Sequence, residues 1–229
     1  MAGAVDGFTI NEPYWGARGS GNSEDWYELD LGRRRTVDDV RLHFYSDKRP
    51  GGYAEPALYT VQYQDADGQW QDVPRPAKSP TYPRANLNHV RFKEVTTGKL
   101  RVLLRHRDGH TSGLKEIQAY DTAARPPTVR NQPPQVEAWR DTTYTRPGQV
   151  RLTGIVKDDG LPRRTLSASW RATDAPDDGT VVFDTPQAST TVARFTKAGT
   201  YTLELTATDG TLSSSKRVVV NVEALGTAR

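Results

Sequence analysis

Cysteine is absent from the 229 residues of the chain, which excludes a disulfide framework and any metal site built on thiolates. No apolar run is long enough to span a bilayer, and no signal peptide is recognisable. Because the first three residues look like an initiator placed before an excised fragment, we expect the missing signal to say little about the native compartment.

The sequence also lacks any stretch with the apolar period of an amphipathic helix. Glycine and proline are frequent instead, with 19 and 15 residues, and this composition favours short strands and many turns. Hydrophobic residues make up 35% of the chain and charged residues 26%, which permits folded domains with cores of limited size. The length fits two ordinary domains.

Residues 24–47 show the clearest strand pattern, because apolar side chains recur there at every second position. The two alternating runs are Tyr27, Leu29 and Leu31, and then Val40, Leu42 and Phe44. This period predicts two half-buried strands, and Gly32 with the three arginines after it predicts a solvated turn between them. Similar runs up to residue 120 predict a β-sandwich of about eight short strands with long loops. The four prolines of residues 74–83 predict an irregular segment.

The second half of the chain is also predicted to be all β. Residues 121–135 contain four prolines in two pairs, which favour an extended spacer. We therefore predict a first domain at residues 1–121, a linker at 122–133, a second domain at 134–224 and a tail at 225–229. Trp170 is expected at the centre of the second core. Asp158, Asp159 and Asp209 either form ordinary turns or hold a cation at one end of this sandwich.

Three groups of residues, in this order, resemble a discoidin domain. This group is also called F5/8 type C and includes the family-32 carbohydrate-binding modules. The matching residues are Asp6-Gly7 with the later Trp15, the strand pair at 26–45, and Gly-Leu-Lys-Glu-Ile-Gln-Ala-Tyr at 113–120. Residues 199–210, GTYTLELTATDG, resemble the signature of PKD-like and related immunoglobulin-like domains.

The two resemblances imply an all-β protein with two β-sandwich domains, a discoidin-like jelly roll followed by an immunoglobulin-like sandwich. Such domains are found together at the end of bacterial, actinobacterial-type glycoside hydrolases. The second resemblance implies that the Tyr201 side chain packs at the corner of the sheet.

The discoidin resemblance also implies a structural calcium ion that ties the first loop to the last strand. Calcium accepts six to eight oxygen ligands, including backbone carbonyls. The implied ligands are the carboxylates of Asp6 and Glu116, the side chain of Asn11, and the carbonyls of Gly3, Phe8 and Lys115. In the alternative interpretation Asp6 caps a turn and Glu116 makes a local hydrogen bond.

A glycan surface is expected in the loops at one end of the first sandwich. Sugar recognition needs an aromatic face and planar polar groups that bond hydroxyls in pairs. The candidates are Tyr14, Trp15 and Arg18 in the first loop, Asp47, Arg49 and Tyr53 in the second, and His106, Arg107 and His110 in the third. Tyr53 is the aromatic that we most expect to be exposed, whereas Trp15 has a core role as its alternative. His106, Asp108 and His110 are a weaker hypothesis for a transition-metal site.

The leading hypothesis is a non-catalytic module pair of a larger secreted or cell-surface bacterial carbohydrate-active enzyme. The first domain binds a polysaccharide or glycan, or docks on the catalytic domain of the parent chain, and the second is a spacer. The alternative is a structural or adhesion module with no sugar site. Catalysis within this chain is not expected, because no motif assembles a set of catalytic roles. Nucleic-acid binding is not expected either, since Arg33, Arg34 and Arg35 form one short run without a recognisable module. We expect a monomer without a membrane span.

Overall fold

The computed structural model describes residues 15–123, 130–140 and 148–223. All regular elements in these ranges are strands, so the all-β prediction is confirmed. None of the described elements is a helix that is long and apolar enough to cross a membrane. The chain divides into two compact units, the first made of Met1–Gln132 with Lys157–Arg164 and the second of Pro133–Val156 with Thr165–Arg229.

Within the described ranges, eight strands form the sheet of the first unit. They are β1 (Trp15–Gly16), β2 (Glu24–Tyr45), β3 (Tyr53–Ala54), β4 (Leu58–Gln64), β5 (Trp70–Asp72), β6 (Ala77–Ser79), β7 (Asn86–Arg105) and β8 (Thr111–Tyr120). The strand order is β1-β8-β2-β7-β4-β5, and β3 pairs with β8 while β6 pairs with β7. All of these pairs are antiparallel except β3 with β8.

Strand β2 corrects the prediction of two strands and a turn, because it runs through the three arginines as one 22-residue strand. Its pairing with β7 shifts register between Asp30 and Arg35, so the residues between them form a bulge. Gly32 lies there with φ of +71°, a conformation that glycine adopts without steric cost. The turn residues were recognised correctly, but they bend a continuous strand.

Both arms of this bent strand contribute side chains to the first core. Tyr27 on the first arm and Leu42 on the second belong to one cluster of buried apolar side chains. The rings of Phe44 in β2 and Tyr59 in β4 meet edge to face, with centroids 5.1 Å apart. The strands of the first unit therefore form a sandwich around a single core.

Proline-rich residues 74–83 are more regular than the sequence indicated. Ala77–Ser79 forms the short strand β6, which pairs with β7 from Ala77↔Arg91 to Ser79↔His89. The peptide bond between Ser79 and Pro80 is cis. Proline lacks an N–H group but is tolerated at the end of a short edge strand, which explains why this segment still pairs.

Seven strands lie in the described residues of the second part of the chain. They are β9 (Gln135–Arg140), β10 (Gln149–Lys157), β11 (Ser167–Asp174), β12 (Val181–Phe183), β13 (Thr191–Phe195), β14 (Gly199–Thr208) and β15 (Ser213–Val222). They make a four-stranded sheet in the order β12-β13-β10-β9 and a three-stranded sheet in the order β11-β14-β15. The fold is thus a discoidin-like domain followed by an immunoglobulin-like one.

Two aromatic residues hold the second core as the sequence predicted. Trp170 is 3% exposed and donates its Nε1–H to the carbonyl of Ser189 over 3.0 Å. Tyr201 is fully buried, and its hydroxyl donates to the carbonyl of Lys197 over 2.9 Å. A tyrosine that bonds back to the chain a few residues upstream fixes the corner of such a sandwich.

Candidate functional site

Three loops of the first unit are held together by backbone hydrogen bonds. They are residues 17–23 before β2, residues 46–52 before β3, and residues 106–110 between β7 and β8. The Ala17 N–H donates to the carbonyl of Ser112, and the Thr111 N–H donates to the carbonyl of Gly52. The structure therefore joins the three loops from which the sequence predicted a binding surface.

Arg18 and Tyr53 form the centre of this loop cluster. The Arg18 guanidinium lies over the Tyr53 ring, 4.8 Å from its centroid, and the Tyr45 ring meets Tyr53 edge to face at 5.6 Å. Gly16 packs against the same ring, since a Cβ there would lie 2.7 Å from two of its carbons. Tyr53 is consequently half-buried, which corrects the expectation of an exposed ring. The exposed planar group is that of Arg18, whose side chain is 63% exposed.

Asp47 supports the second loop and faces Arg18. Its carboxylate accepts the Arg49 N–H over 3.0 Å and lies 3.7 Å from the Arg18 Nη2. The hydrogen bond from the Arg49 backbone outweighs the effect of burial, so the pKa of Asp47 lies below its usual value. A Cβ at Gly52 would clash with both carboxylate oxygens of Asp47, so a larger residue there would displace this carboxylate. Asp47 stays ionised and shapes the loop that carries Arg49.

His106 bridges two strands and is not a surface residue, because only 5% of its side chain is exposed. Its Nδ1 lies 2.9 Å from the Ser112 Oγ and 3.2 Å from the Ser112 backbone N, which donates to it. Its Nε2 lies 3.0 Å from the Asp25 Oδ2. His106 therefore occupies the predicted loop, but its ring is used for internal contacts.

Asp25 was missed by the sequence analysis, although it stands at the start of the strand pattern. Its carboxylate accepts the Ser20 hydroxyl over 2.5 Å and the Asn22 amide over 2.9 Å. Burial alone would raise the pKa of Asp25, but the hydrogen bonds from Ser20, Asn22 and His106 outweigh burial and lower it. The sequence signal for these hydrogen bonds was the polar run Gly-Ser-Gly-Asn-Ser-Glu-Asp, which leads into β2.

The chain of contacts from Ser112 through His106 to Asp25 resembles that of a serine-hydrolase triad, but here the serine is not accessible to a substrate. In a hydrolase the serine oxygen is open to the substrate. Ser112 is fully buried, and its own backbone N–H occupies the imidazole lone pair that would have to receive the hydroxyl proton. The arrangement is therefore a structural one.

The remaining candidates of the sequence analysis have separate surroundings. Arg107 lies 3.1 Å from Glu55, and the His110 Nδ1 lies 3.0 Å from the carbonyl of Asp108. Trp15 is half-buried against the core and meets Tyr27 edge to face at 5.8 Å. Trp15 thus takes the core role that was its alternative. Tyr14 lies outside the described residues.

Two of the six residues of the predicted calcium site lie in the described ranges. Glu116 is 1% exposed, stands opposite His43 between β2 and β8, and has a carboxylate of the type that calcium prefers. Burial together with the charge of Glu116 raises the pKa of Tyr27. Lys115 adjoins it, and its Nζ lies 5.6 Å from the centroid of the Tyr45 ring. The other four residues lie outside the described ranges: Gly3, Asp6, Phe8 and Asn11.

Within the described ranges, no three acidic, histidine or cysteine side chains gather as metal ligands. This applies to the His106–His110 loop and to the aspartates of the second half of the chain. Asp158 accepts the Gly160 N–H, and Asp159 accepts the N–H groups of Gln132 and Leu161. The Asp209 carboxylate accepts the N–H groups of the two residues that follow Gly210. Each of these aspartates accepts the N–H group two residues downstream, as in a turn, which is the alternative that the sequence left open.

Comparison with known families agrees with the two folds. Residues 3–102 match the model of the NedA-like, galactose-binding domain of the F5/8 type C group. Residues 138–222 match the model of the K319L-like PKD domain. The chain therefore combines an F5/8 type C-like domain with a PKD-like domain that follows it, both of them non-catalytic modules.

Two solved structures show a distant likeness to this chain. Beta-galactosidase BgaA from Streptococcus pneumoniae is 17% identical with a TM-score of 0.45, covering 52% of this chain and 84% of that chain. A candidate alpha-L-fucosidase from Bacteroides ovatus is 15% identical with a TM-score of 0.34. The alignment with the fucosidase covers 88% of this chain and 37% of that one, so the present chain corresponds to a minor part of it. At these values neither likeness adds to the conclusions drawn from the family models.

Proposed function

We propose that the first domain binds a galactose-containing glycan through the loop cluster around Arg18. The observation that carries this proposal is the exposed Arg18 guanidinium, which is oriented by the Tyr53 ring and the Asp47 carboxylate. A guanidinium has five N–H donors in a fixed plane, so Arg18 retains donors for two neighbouring sugar hydroxyls. The match to a galactose-binding family model supports galactose as the first sugar to test.

The geometry favours recognition by polar groups over stacking on an open ring. Arg18 covers the Tyr53 ring, while Arg49 and Lys48 are exposed in the adjoining loop and His110 is half-exposed in the third. A ligand would therefore meet several planar or charged donors and few bare aromatic faces. Such a surface suits weak binding to hydroxyl-rich polymers, because each hydrogen bond replaces one to water.

Affinity electrophoresis in gels that contain galactose-rich polysaccharide tests this proposal. We expect the wild type to be retarded and Arg18→Ala to lose about tenfold or more in affinity, since charge-assisted hydrogen bonds contribute about 1.5–3 kcal/mol each. Arg217→Ala is the matched control, because Arg217 is 67% exposed in the second domain. Wild-type mobility unaffected by every polysaccharide in a broad panel would refute glycan binding.

We also propose that calcium occupies the site implied for Asp6, Asn11, Glu116 and the carbonyls of Gly3, Phe8 and Lys115. Its support here is the buried carboxylate of Glu116, because calcium prefers oxygen ligands of this type. A ligand that binds only the folded state raises the unfolding temperature as its concentration rises. We expect added calcium to raise the unfolding temperature of the wild type and to have no effect on Glu116→Gln. Identical melting of the wild type in calcium and in chelator would contradict the site.

For the whole chain we propose an accessory pair of a larger secreted or cell-surface bacterial enzyme that acts on carbohydrate. In this arrangement the second domain is a spacer, the pair is monomeric, and the first domain binds glycan or docks on the catalytic domain. The two non-catalytic family matches support this proposal. The reading frame that surrounds this segment tests it, and we expect a glycoside hydrolase or lyase domain there.

One observation favours a structural or adhesion module as the second candidate. His106 and Asp25 bond each other and neighbouring groups, and the Tyr53 ring is covered, so the loops are largely satisfied internally. This candidate predicts that the isolated pair folds stably and binds no glycan. The electrophoresis of the wild type separates the two candidates directly.

A further inference from the structure

We propose that Asp25, His106 and Ser112 form a positioning network that holds Arg18 in place for glycan binding. This inference rests on the proposed function, because it concerns the geometry of the same loop cluster. The network joins residues that are 81 positions apart in the chain. It consists of one carboxylate, one imidazole and one serine, and each of them contacts a different segment.

The direction of the hydrogen bonds determines the tautomer of the His106 imidazole. The Ser112 backbone N–H donates to Nδ1 over 3.2 Å, so Nδ1 is the acceptor nitrogen. The hydrogen of the neutral ring then lies on Nε2 and is donated to the Asp25 Oδ2 over 3.0 Å. His106 thus links the start of β8 to the start of β2.

Asp25 connects His106 to the loop that carries Arg18. Its Oδ2 also accepts the Ser20 hydroxyl, and its Oδ1 accepts the Asn22 amide. The Ser20 N–H in turn donates to the carbonyl of Ala17 over 3.1 Å. The loop is consequently fastened on the C-terminal side of Arg18.

The N-terminal side of Arg18 is fastened to the same network through Ser112. The Ala17 N–H donates to the Ser112 carbonyl over 3.1 Å, while the Ser112 N–H bonds His106. Arg18 therefore lies between two residues, Ala17 and Ser20, that are both tied to the network. A shift of His106 moves the base from which the guanidinium reaches Tyr53 and Asp47.

The low exposure of His106, Asp25 and Ser112 indicates that they position the loop and do not contact a ligand themselves. The exposed fraction is 5% for the His106 side chain and 14% for that of Asp25, and Ser112 is fully buried. None of them presents a free planar face to a sugar. They act on a ligand only through the loop that they hold.

The same domain provides a matched control in His89 and Asp39. Their Nε2 and Oδ2 atoms lie 2.5 Å apart, so the chemistry of the pair is the same. Both residues stand in the directly paired strands β2 and β7, and Asp39 is six residues before the end of β2, about 20 Å along the strand. The loss of this pair affects stability without touching the loops.

The experiment compares His106→Ala, His106→Gln and His89→Ala by affinity for a galactose-rich polysaccharide and by amide hydrogen exchange of residues 16–22. We expect His106→Ala to lose about tenfold in affinity, equivalent to about 1.4 kcal/mol, and to raise exchange in that loop. His106→Gln is expected to recover part of both effects, because its amide both donates and accepts. His89→Ala is expected to keep wild-type affinity and loop exchange.

Ser20→Ala keeps the test informative if a histidine variant does not fold. Ser20 is exposed, so its replacement leaves the core intact, and we expect a smaller loss of affinity with faster exchange of the loop. Equal losses for His106→Ala and His89→Ala, or unchanged loop exchange in His106→Ala, would overturn the network. If the wild type binds no glycan, the proposed function fails, while the exchange comparison still decides whether the network holds the loop.

Discussion

The polar contacts that order loops in the first domain span longer distances along the chain than the contacts that close turns in the second. In the first, Asp25 bonds His106 across 81 positions and Glu55 bonds Arg107 across 52. In the second, the Tyr201 hydroxyl bonds a carbonyl four residues upstream, and Asp209 accepts N–H groups two and three residues downstream. Long-range bonds fix loops to one another, whereas local bonds close a turn. This difference accords with the binding role proposed for the first domain and the spacer role proposed for the second.

A longer polar contact of the second domain, at Glu204, joins strands. Glu204 pairs with Arg171 and Arg217, its direct neighbours on β11 and β15. Hydrogen bonds from Arg171 and Arg217 lower the pKa of Glu204. These are cross-strand pairs on one face of a sheet, and they join strands that already pair. They order no loop.

The largest effect is expected from truncating one large core side chain in each domain. Phe44→Ala and Trp170→Ala should each lower the free energy of unfolding of their own domain by about 3–5 kcal/mol. Phe44→Ala should also abolish glycan binding, whereas Trp170→Ala should leave it intact, because Arg18 belongs to the first domain. Denaturant unfolding and affinity electrophoresis measure the two quantities. Loss of binding in Trp170→Ala would erase the distinction between the domains.

Gly16→Ala is expected to have the next largest effect. The added methyl group meets the ring and hydroxyl of Tyr53, and overpacking of this kind costs about 1–3 kcal/mol. Because Arg18 lies on the same ring, affinity for glycan should fall as well. Gly19→Ala is the control for the added methyl group, since a Cβ at Gly19 has no neighbour within 4 Å, although its φ of +84° adds local strain. Equal affinities for Gly16→Ala and the wild type would argue against Tyr53 as the support of Arg18.

A smaller effect is expected at the corner of the second sandwich. Tyr201→Phe removes only the hydroxyl that donates to Lys197 and should lower the unfolding free energy of the second domain by about 1 kcal/mol. Tyr120→Phe is the matched control, because that exposed hydroxyl donates to the nearby side chain of Gln118. Glycan affinity should stay unchanged in both variants. A larger loss of stability in Tyr120→Phe than in Tyr201→Phe would contradict the role of the corner.

The smallest and most specific effect is on the stability of the first domain at acidic pH. The pKa of Asp25 is lowered in the folded state, so its ionised form stabilises the fold above the ordinary value of 3.8. That contribution is lost as the pH falls from 3.8 through the folded pKa. We expect the stability of the first domain to fall over this range more steeply in the wild type than in Asp25→Asn, as measured by thermal unfolding at a series of pH values. Parallel curves for the two proteins would contradict the assignment.

The sequence by itself determined the fold class and the strand faces. The alternation of Tyr27 and Leu29, and later of Val40 and Leu42, required sheets with one buried face, because successive side chains in a strand point to opposite sides. It also placed Trp170 and Tyr201 in the second core. Three loops were selected as candidates because their composition combined aromatic, basic and turn residues.

Only the tertiary structure decided how those loop residues are used. Gly32 marked a break, but whether it ended β2 or bent it depended on the pairing of β7 on both sides of the bulge. Tyr53 and His106 had the residue types of ligand-binding groups, yet contacts with Gly16 and Asp25 turned both inward. Such contacts join residues far apart in the chain, and a local pattern carries no information about them. The sequence named Arg18 as a candidate, but the packing of its exposed guanidinium on the Tyr53 ring was visible only in the folded domain.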